Sequence, residues 1–253
     1  METLVKTVDL RKVYRIKSAG KTEDVVAIDD VNLEVFRGET FGIIGESGSG
    51  KTTLGKAIIR LVEPSGGEIY FDGTNLSGLN PGEMRKLRNR FQIVFQDPYK
   101  SLNPRISVGN SVAEGITGSL SRKDRTGKAK KLLETVGIDS RKYDSFPHQF
   151  SGGERQRIAI ARALSTDPEF IVCDEPTSNL DLSIQAKILN LFMELKDRLN
   201  LTYLFISHNL QIVKFISDRV AVMHGGRIVE EGETSRIITN PEHPYTKTLI
   251  SRA

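Results

Sequence analysis

Between the apolar run Phe41-Gly-Ile-Ile44 and a helical pattern opening at Lys51 lies Gly45-Glu46-Ser47-Gly48-Ser49-Gly50-Lys51-Thr52, which fits G-x-x-x-x-G-K-[ST]. A short buried strand that runs through a glycine-rich loop into a helix restricts the chain to α/β architectures with the loop at a strand's carboxyl end. The glycines let successive backbone N–H groups curl around an anion without side-chain clashes. Lys51 would reach terminal phosphates, and the Thr52 hydroxyl would hold Mg²⁺. A second small-residue loop, Ser151-Gly152-Gly153-Glu154, also opens a helix and offers another anion cradle.

Strand patterns flank the loop. Leu4 to Leu10, Val25–Ile28 and Val31–Phe36 read as strands, with a polar exposed loop over Lys17–Asp24. After the phosphate loop, Leu54, Ala57, Ile58 and Leu61 mark one face of a helix. Gly67–Gly73 reads as an edge strand and Phe91–Phe95 as a buried one. From about Asp97 to Asp167 the pattern turns helical, with breaks at Pro98, Pro104, Gly137 and Pro147. Strand–helix alternation then resumes: Phe170–Cys173, a helix over Ile184–Leu199, Tyr203–Ser207, a helix over Leu210–Ser217, Val220–Met223, Gly226–Glu230, and a final helix from Thr234. The expected fold is α/β: a core with a mainly parallel sheet covered on both faces, and a helical subdomain inserted at about 97–167.

A chain of 253 residues with 38% hydrophobic and 27% charged residues reads as an ordinary globular protein. The net charge is +4. The basic clusters Arg85–Arg90 and Arg122–Lys131 lack interleaved stacking aromatics, so they read as solvated helix faces and nucleic acid is not the expected partner. Cys173 is the single cysteine, which excludes an intrachain disulfide and suits a reducing compartment. Within Phe170–Asp174 it reads as a small buried hydrophobe. The N-terminus lacks a signal-peptide layout. No apolar run approaches the length of roughly 20 residues needed to span a bilayer.

Phe170–Glu175 is an apolar strand ending in two carboxylates, which at a strand's carboxyl end face the ligand crevice. Asp174 is placed to hold Mg²⁺ through water, and Glu175 to polarise an attacking water. Gln96, after the Phe91–Phe95 strand, can bind Mg²⁺ or orient water. His208, after Tyr203–Ser207, can donate to a γ-phosphate and sense its presence. Tyr14 either packs or stacks on a base.

In this order these residues resemble the ATP-binding subunits of ABC transporters, over nearly the whole chain. Gly45–Thr52 matches the Walker A motif, Gln96 the Q-loop, Ser151–Gln156 the signature motif, and Phe170–Asp174 the Walker B motif with Glu175 after it. Ser178–Asp181 resembles the D-loop, His208 the switch histidine and Tyr14 the A-loop aromatic. The resemblance implies a P-loop NTPase core over 1–96 and 168–253, with an antiparallel β subdomain. It implies ATP and Mg²⁺ as cofactors, with Tyr14, Gly45–Thr53, Gln96 and Asp181 at the nucleotide and Thr52, Gln96 and Asp174 at the metal. Glu175, Gln96 and His208 take the catalytic roles. Ser151, Gly152 and Gly153 would act in trans, across a head-to-tail dimer with a second, different ATPase subunit.

The strings Gln96–Arg105 and His243-Pro-Tyr-Thr-Lys-Thr-Leu249 are similar to the peptide/nickel importer branch. The departures are Asn179 where the branch often has Ala, Asn209 where Asp is usual, and an end at Ala253 where many relatives have a longer tail. The implied function is an ATP-hydrolysing subunit at the cytoplasmic face of the membrane. It would energise two permease subunits served by an extracytoplasmic solute-binding protein, for peptides, nickel or a related small solute. Two other classes stand beside it: a soluble ABC ATPase of repair or translation, and a component of a soluble assembly such as the carbon–phosphorus lyase system. The first lacks support, since the chain has neither a long coiled-coil insertion nor tandem ATPase units.

Overall fold

The computed structural model describes residues 2–18 and 21–252. In chain order the elements begin with β1 (Thr3–Ser18), β2 (Lys21–Phe36), β3 (Thr40–Ile44), α1 (Lys51–Ile58), β4 (Gly66–Phe71), β5 (Thr74–Asn75) and α2 (Pro81–Leu87). There follow β6 (Phe91–Val94), α3 (Pro98–Ser101), α4 (Val108–Ala113), α5 (Arg122–Thr135), α6 (Gly152–Leu164), β7 (Phe170–Asp174) and α7 (Leu182–Leu199). The chain closes with β8 (Thr202–Ile206), α8 (Leu210–Ile216), β9 (Arg219–His224), β10 (Arg227–Glu233), α9 (Thr234–Thr239) and α10 (Pro244–Ser251). These form two compact units, Met1–Lys86 with Thr202–Ala253, and Leu87–Leu201.

The first unit holds β3 between β8 and β9, all parallel, with Phe41 opposite Leu204 and Ile43 opposite Ala221. Every residue of β3 and β8 is buried, which explains why these strands are continuous apolar runs rather than alternating ones. A Gly-Gly turn returns β9 antiparallel into β10. The same unit carries the antiparallel sheet β2-β1-β4-β5, as expected. Its strand β4 lies between β1 and β5 rather than at an edge, because the short β5 pairs Tyr70 with Asn75. The stretch expected as a loop over Lys17–Asp24 is instead strand, with Lys17 opposite Thr22 and Ser18 opposite Lys21. Ala19 and Gly20, like Met1 and Ala253, lie outside the described residues.

Helix α1 buries Leu54, Ala57 and Ile58 but stops before Leu61, which is 48% exposed. Arg60 takes a left-handed φ of 50°, and its guanidinium bonds the carbonyls of Leu76 and Leu79, which turns the chain out of the helix. The single helix expected from Thr234 is two, α9 and α10, separated where Pro241 and Pro244 remove backbone donors. Arg219 sits between Glu39 (3.0 Å) and Glu231 (2.5 Å), its guanidinium over the rings of Phe36 and Phe41. Burial pushes both glutamates above the ordinary carboxylate range despite that cation.

In the second unit β6 and β7 are parallel, with Phe91 opposite Phe170 and Val94 opposite Cys173. Cys173 is fully buried, and burial pushes its thiol well up, as suits a packing residue. Helix α6 buries Ile158, Ile160 and Ala161, and α5 contributes Ala129 and Leu133. The side chains of Tyr99 and Lys100, in the Gln96–Arg105 string, lie outside the described residues.

Candidate nucleotide site

Each unit carries its own group of the residues singled out in the sequence. In the first, β3 ends at Ile44 and the chain loops through Gly45–Gly50 into α1. Gly50 is the residue before the helix, at φ 104° and ψ −2°, with no side-chain cap and no acidic residue in the first turn. The helix's leading N–H groups and its dipole are therefore unopposed by negative charge in that turn. A Cβ on Gly50 would stand 2.2 Å from the Ala27 carbonyl oxygen. Only glycine lets the loop lie against β2 in this way.

Lys51 is 6% exposed and donates from Nζ to the carbonyls of Gly45 and Glu46, both at 2.8 Å, and to Ser49 Oγ at 3.3 Å. Ser49 N–H donates to the same Glu46 carbonyl at 3.2 Å. A buried ammonium satisfied by carbonyls of its own loop is a cation poised over an anion cradle. Glu46, Ser47, Gly48 and Thr52 are exposed, Ser49 is buried, and Thr53 is half-buried. His208 is exposed directly after β8, and Asn209 caps α8 by accepting from Gln211 N–H at 2.9 Å. Asp at that position would cap equally, so this departure leaves the local backbone unchanged. Tyr14 stands on β1, with the Lys12 ammonium 5.0 Å from its ring centre.

In the second unit, Gln96 Nε2 donates to Glu175 Oε2 at 3.1 Å. Asp174 is 5% exposed at the end of β7, and Glu175 follows with a left-handed φ of 48°. Ser178 braces that corner by donating to the Glu175 carbonyl at 3.2 Å. Asn179, a departure in the sequence, reaches the Gln96 carbonyl at 3.5 Å, a contact that sequence reasoning did not foresee.

Ser151 and Glu154 form a reciprocal cap on α6. Ser151 Oγ accepts from Glu154 N–H at 3.3 Å, and Glu154 Oε2 accepts from Ser151 N–H at 2.9 Å. That second bond holds the Glu154 carboxyl below its ordinary range. Gly153 faces Ile184 so closely that a Cβ would fall 2.5 Å from Cγ2, which brings the starts of α6 and α7 together. Asp181 caps α7 through Ile184 N–H at 3.0 Å, and this bond, with one from Ser183, lowers its pKa. Between these starts and Gln96 lies a cavity of about 280 Å³, lined by Gln156, Pro176, Asn179 and Leu180 among others.

Two chemistries are thus laid out: an anion cradle with a buried cation, and a carboxylate oriented by an amide. The chain belongs to the ABC transporter family, which matches residues 28–178. It is 48% identical over 231 residues to the oligopeptide transport ATP-binding protein OppF of Bacillus subtilis, covering 90% of this chain and 76% of that protein. It is 47% identical to the dipeptide transport ATP-binding protein DppF of Haemophilus influenzae, covering 98% of this chain and 77% of that one. Among solved structures it is similar to the ATP-binding cassette MJ0796, a dimer in a post-hydrolysis state bound to ADP and Pi, with a TM-score of 0.80 and 31% identity over 91% of this chain and 99% of that one. The protein is accordingly an ABC-type ATPase.

Proposed function

We infer that this chain is the ATP-hydrolysing subunit of an ABC importer that takes up peptides or a related small solute. The observation that carries this reading is the 47% identity spanning 98% of the chain to a dipeptide transport ATP-binding protein. Among the described residues no helix is long and apolar enough to cross a membrane, so membrane passage would fall to other subunits.

ATP would seat its phosphates on the N–H groups of Gly48–Thr53, drawing Lys51 Nζ from the carbonyls of Gly45 and Glu46 onto phosphate oxygens. Thr52 in the first unit, and Gln96 and Asp174 in the second, each carry a hard oxygen atom of the kind Mg²⁺ prefers and are the residues that would hold it. Among the described residues no group of three or more His, Cys, Asp or Glu could cage a metal alone. That suits an ion that keeps waters and phosphate oxygens as ligands. Bound there, Mg²⁺ would neutralise phosphate charge. Glu175, held by the Gln96 amide, would orient the attacking water, and His208 would donate to the γ-phosphate.

Ser151, Gly152 and Gly153 of this chain would cap the nucleotide held by the partner subunit in a head-to-tail pair, with ATP closing the pair and hydrolysis releasing it. The groove beside Gln96–Arg105, about 320 Å³ and lined by Phe95, Ser101, Glu114, Gly115, Arg162 and Thr166, is the seat proposed for a permease's cytoplasmic loop.

The test is capture of the Glu175→Gln variant, with ATP, from detergent-solubilised membranes of the native host. Two multi-spanning proteins and a second ATPase are the expected partners by mass spectrometry. Recovery of soluble enzymes alone would overturn the transport reading.

A further inference from the structure

The His-Pro-Tyr string near the end of the chain has no part in the chemistry described so far. In the structure it is fastened at both ends. Glu230 on β10 accepts from the N–H groups of Glu242 (2.9 Å) and His243 (3.0 Å), and His243 Nδ1 accepts from Tyr245 N–H (3.2 Å), which fixes where α10 begins. Tyr245, Leu249 and Ile250 then pack against a cluster that includes Ile44, the last residue of β3 before the phosphate loop. The Tyr245 ring lies on the His224 imidazole, with centroids 3.9 Å apart.

From that seat the helix reaches the loop itself. The Tyr245 hydroxyl accepts from Glu46 N–H at 3.2 Å, and Arg252 Nη1 stands 3.3 Å from Glu46 Oε1. Glu46 is the residue whose carbonyl takes both Lys51 Nζ and Ser49 N–H. One face of the Glu46 residue is therefore gripped by α10, and its carbonyl sets the resting place of the loop's lysine.

We propose that α10 is a latch on the phosphate loop and that Tyr245 is a positioning residue for nucleotide binding. Its hydroxyl fixes the Glu46 backbone, so the cradle keeps its shape while Lys51 moves from carbonyl to phosphate. Preorganisation of this kind improves affinity by removing the ordering that binding would otherwise require. Tyr245 does not touch the reacting atoms in this scheme, so it governs binding rather than turnover. The proposal rests on the reading of Gly45–Thr53 as the nucleotide's phosphate site.

Tyr245→Phe keeps the ring on His224 and the packing against Ile44 but removes the hydroxyl. Calorimetric titration of the full chain with MgADP should show affinity weakened roughly threefold to tenfold, the scale of one lost hydrogen bond. KM for ATP should rise by the same factor with kcat unchanged, and the nucleotide-free melting temperature should stay at the wild-type value. Amide exchange across Gly45–Lys51, measured without nucleotide, should quicken while the rest of the chain is unaltered. Tyr245→Ala, which also removes the packing, should lower the melting temperature as well. Lys51→Ala distinguishes the two levels of the argument. If it loses MgADP while Tyr245→Phe binds normally, the latch is refuted and the phosphate site stands. If Lys51→Ala also binds normally, the phosphate site itself fails. A Tyr245→Phe variant that loses affinity and melting temperature together would reduce α10 to packing alone and overturn the proposal.

Discussion

Two glycines of the phosphate loop should respond very differently to the same added methyl group. At Gly50 the φ is 104°. An L-residue held in left-handed backbone is strained by about 1–2 kcal/mol. The new Cβ would stand 2.2 Å from the Ala27 carbonyl oxygen, whereas carbon–oxygen contacts ordinarily begin near about 3.3 Å. The obstacle is strand backbone and cannot swing aside, so overpacking adds about 1–3 kcal/mol. Gly50→Ala should therefore cost about 2–5 kcal/mol, which for a chain of this size lowers the melting temperature by roughly 4–20 °C. Gly48, at φ 82°, has nothing within 4 Å of its absent Cβ. Gly48→Ala should cost only the backbone strain, about 1–2 kcal/mol. Thermal melts and urea titrations of both variants without nucleotide read the difference, which isolates the contact with Ala27. Equal losses in the two variants would refute the reasoning, because the wall against β2 would then contribute nothing.

Other outcomes follow from the same geometry. Glu175→Gln should keep nucleotide affinity but turn over at least about a hundredfold more slowly, the loss typical of a positioned base; near-normal phosphate release would remove Glu175 from that role. Ser151→Ala breaks half of the reciprocal cap on α6 and should cost about 1 kcal/mol in urea unfolding; no measurable change would mean the cap is idle. Arg219→Met leaves the buried Glu39 and the half-buried Glu231 without their cation and should cost roughly 3 kcal/mol at neutral pH. Both carboxyls are already raised in the folded state. Between about pH 4.3, the unfolded value, and their raised native values these two carboxyls therefore hold more protons folded than unfolded. The variant's stability should fall as pH rises through that window and be least impaired below it; a loss independent of pH would contradict the assignment.

What was legible in the sequence is what local pattern encodes. The strand–loop–helix around Lys51, the carboxylates closing β7 and the Ser-x-x-Glu start of α6 depend on neighbours within a few residues, and all stand where spacing put them. The pairing around Lys17–Asp24 was hidden because the sequence there is a polar, Gly-containing run, so no alternation of apolar and polar residues betrays a strand. The interior place of β4 depends on a two-residue partner strand, and pairing order leaves no local trace. Leu61 fitted the helical period, but Arg60's tie to Leu76 and Leu79 ended α1 first. The contact of Tyr245 with Glu46 spans 199 residues and is invisible to any periodicity.

The left-handed backbone at Glu175 sets a ceiling on how robust this protein can become. Glycine and asparagine sit at such a φ with little strain, but neither can draw a proton from water. On the role proposed for Glu175, engineering that favours whatever residue best suits the local backbone would be drawn to this corner, and would deliver a sturdier fold that no longer hydrolyses its nucleotide. Position 175 is thus one place in the chain where durability and turnover are opposed within a single side chain.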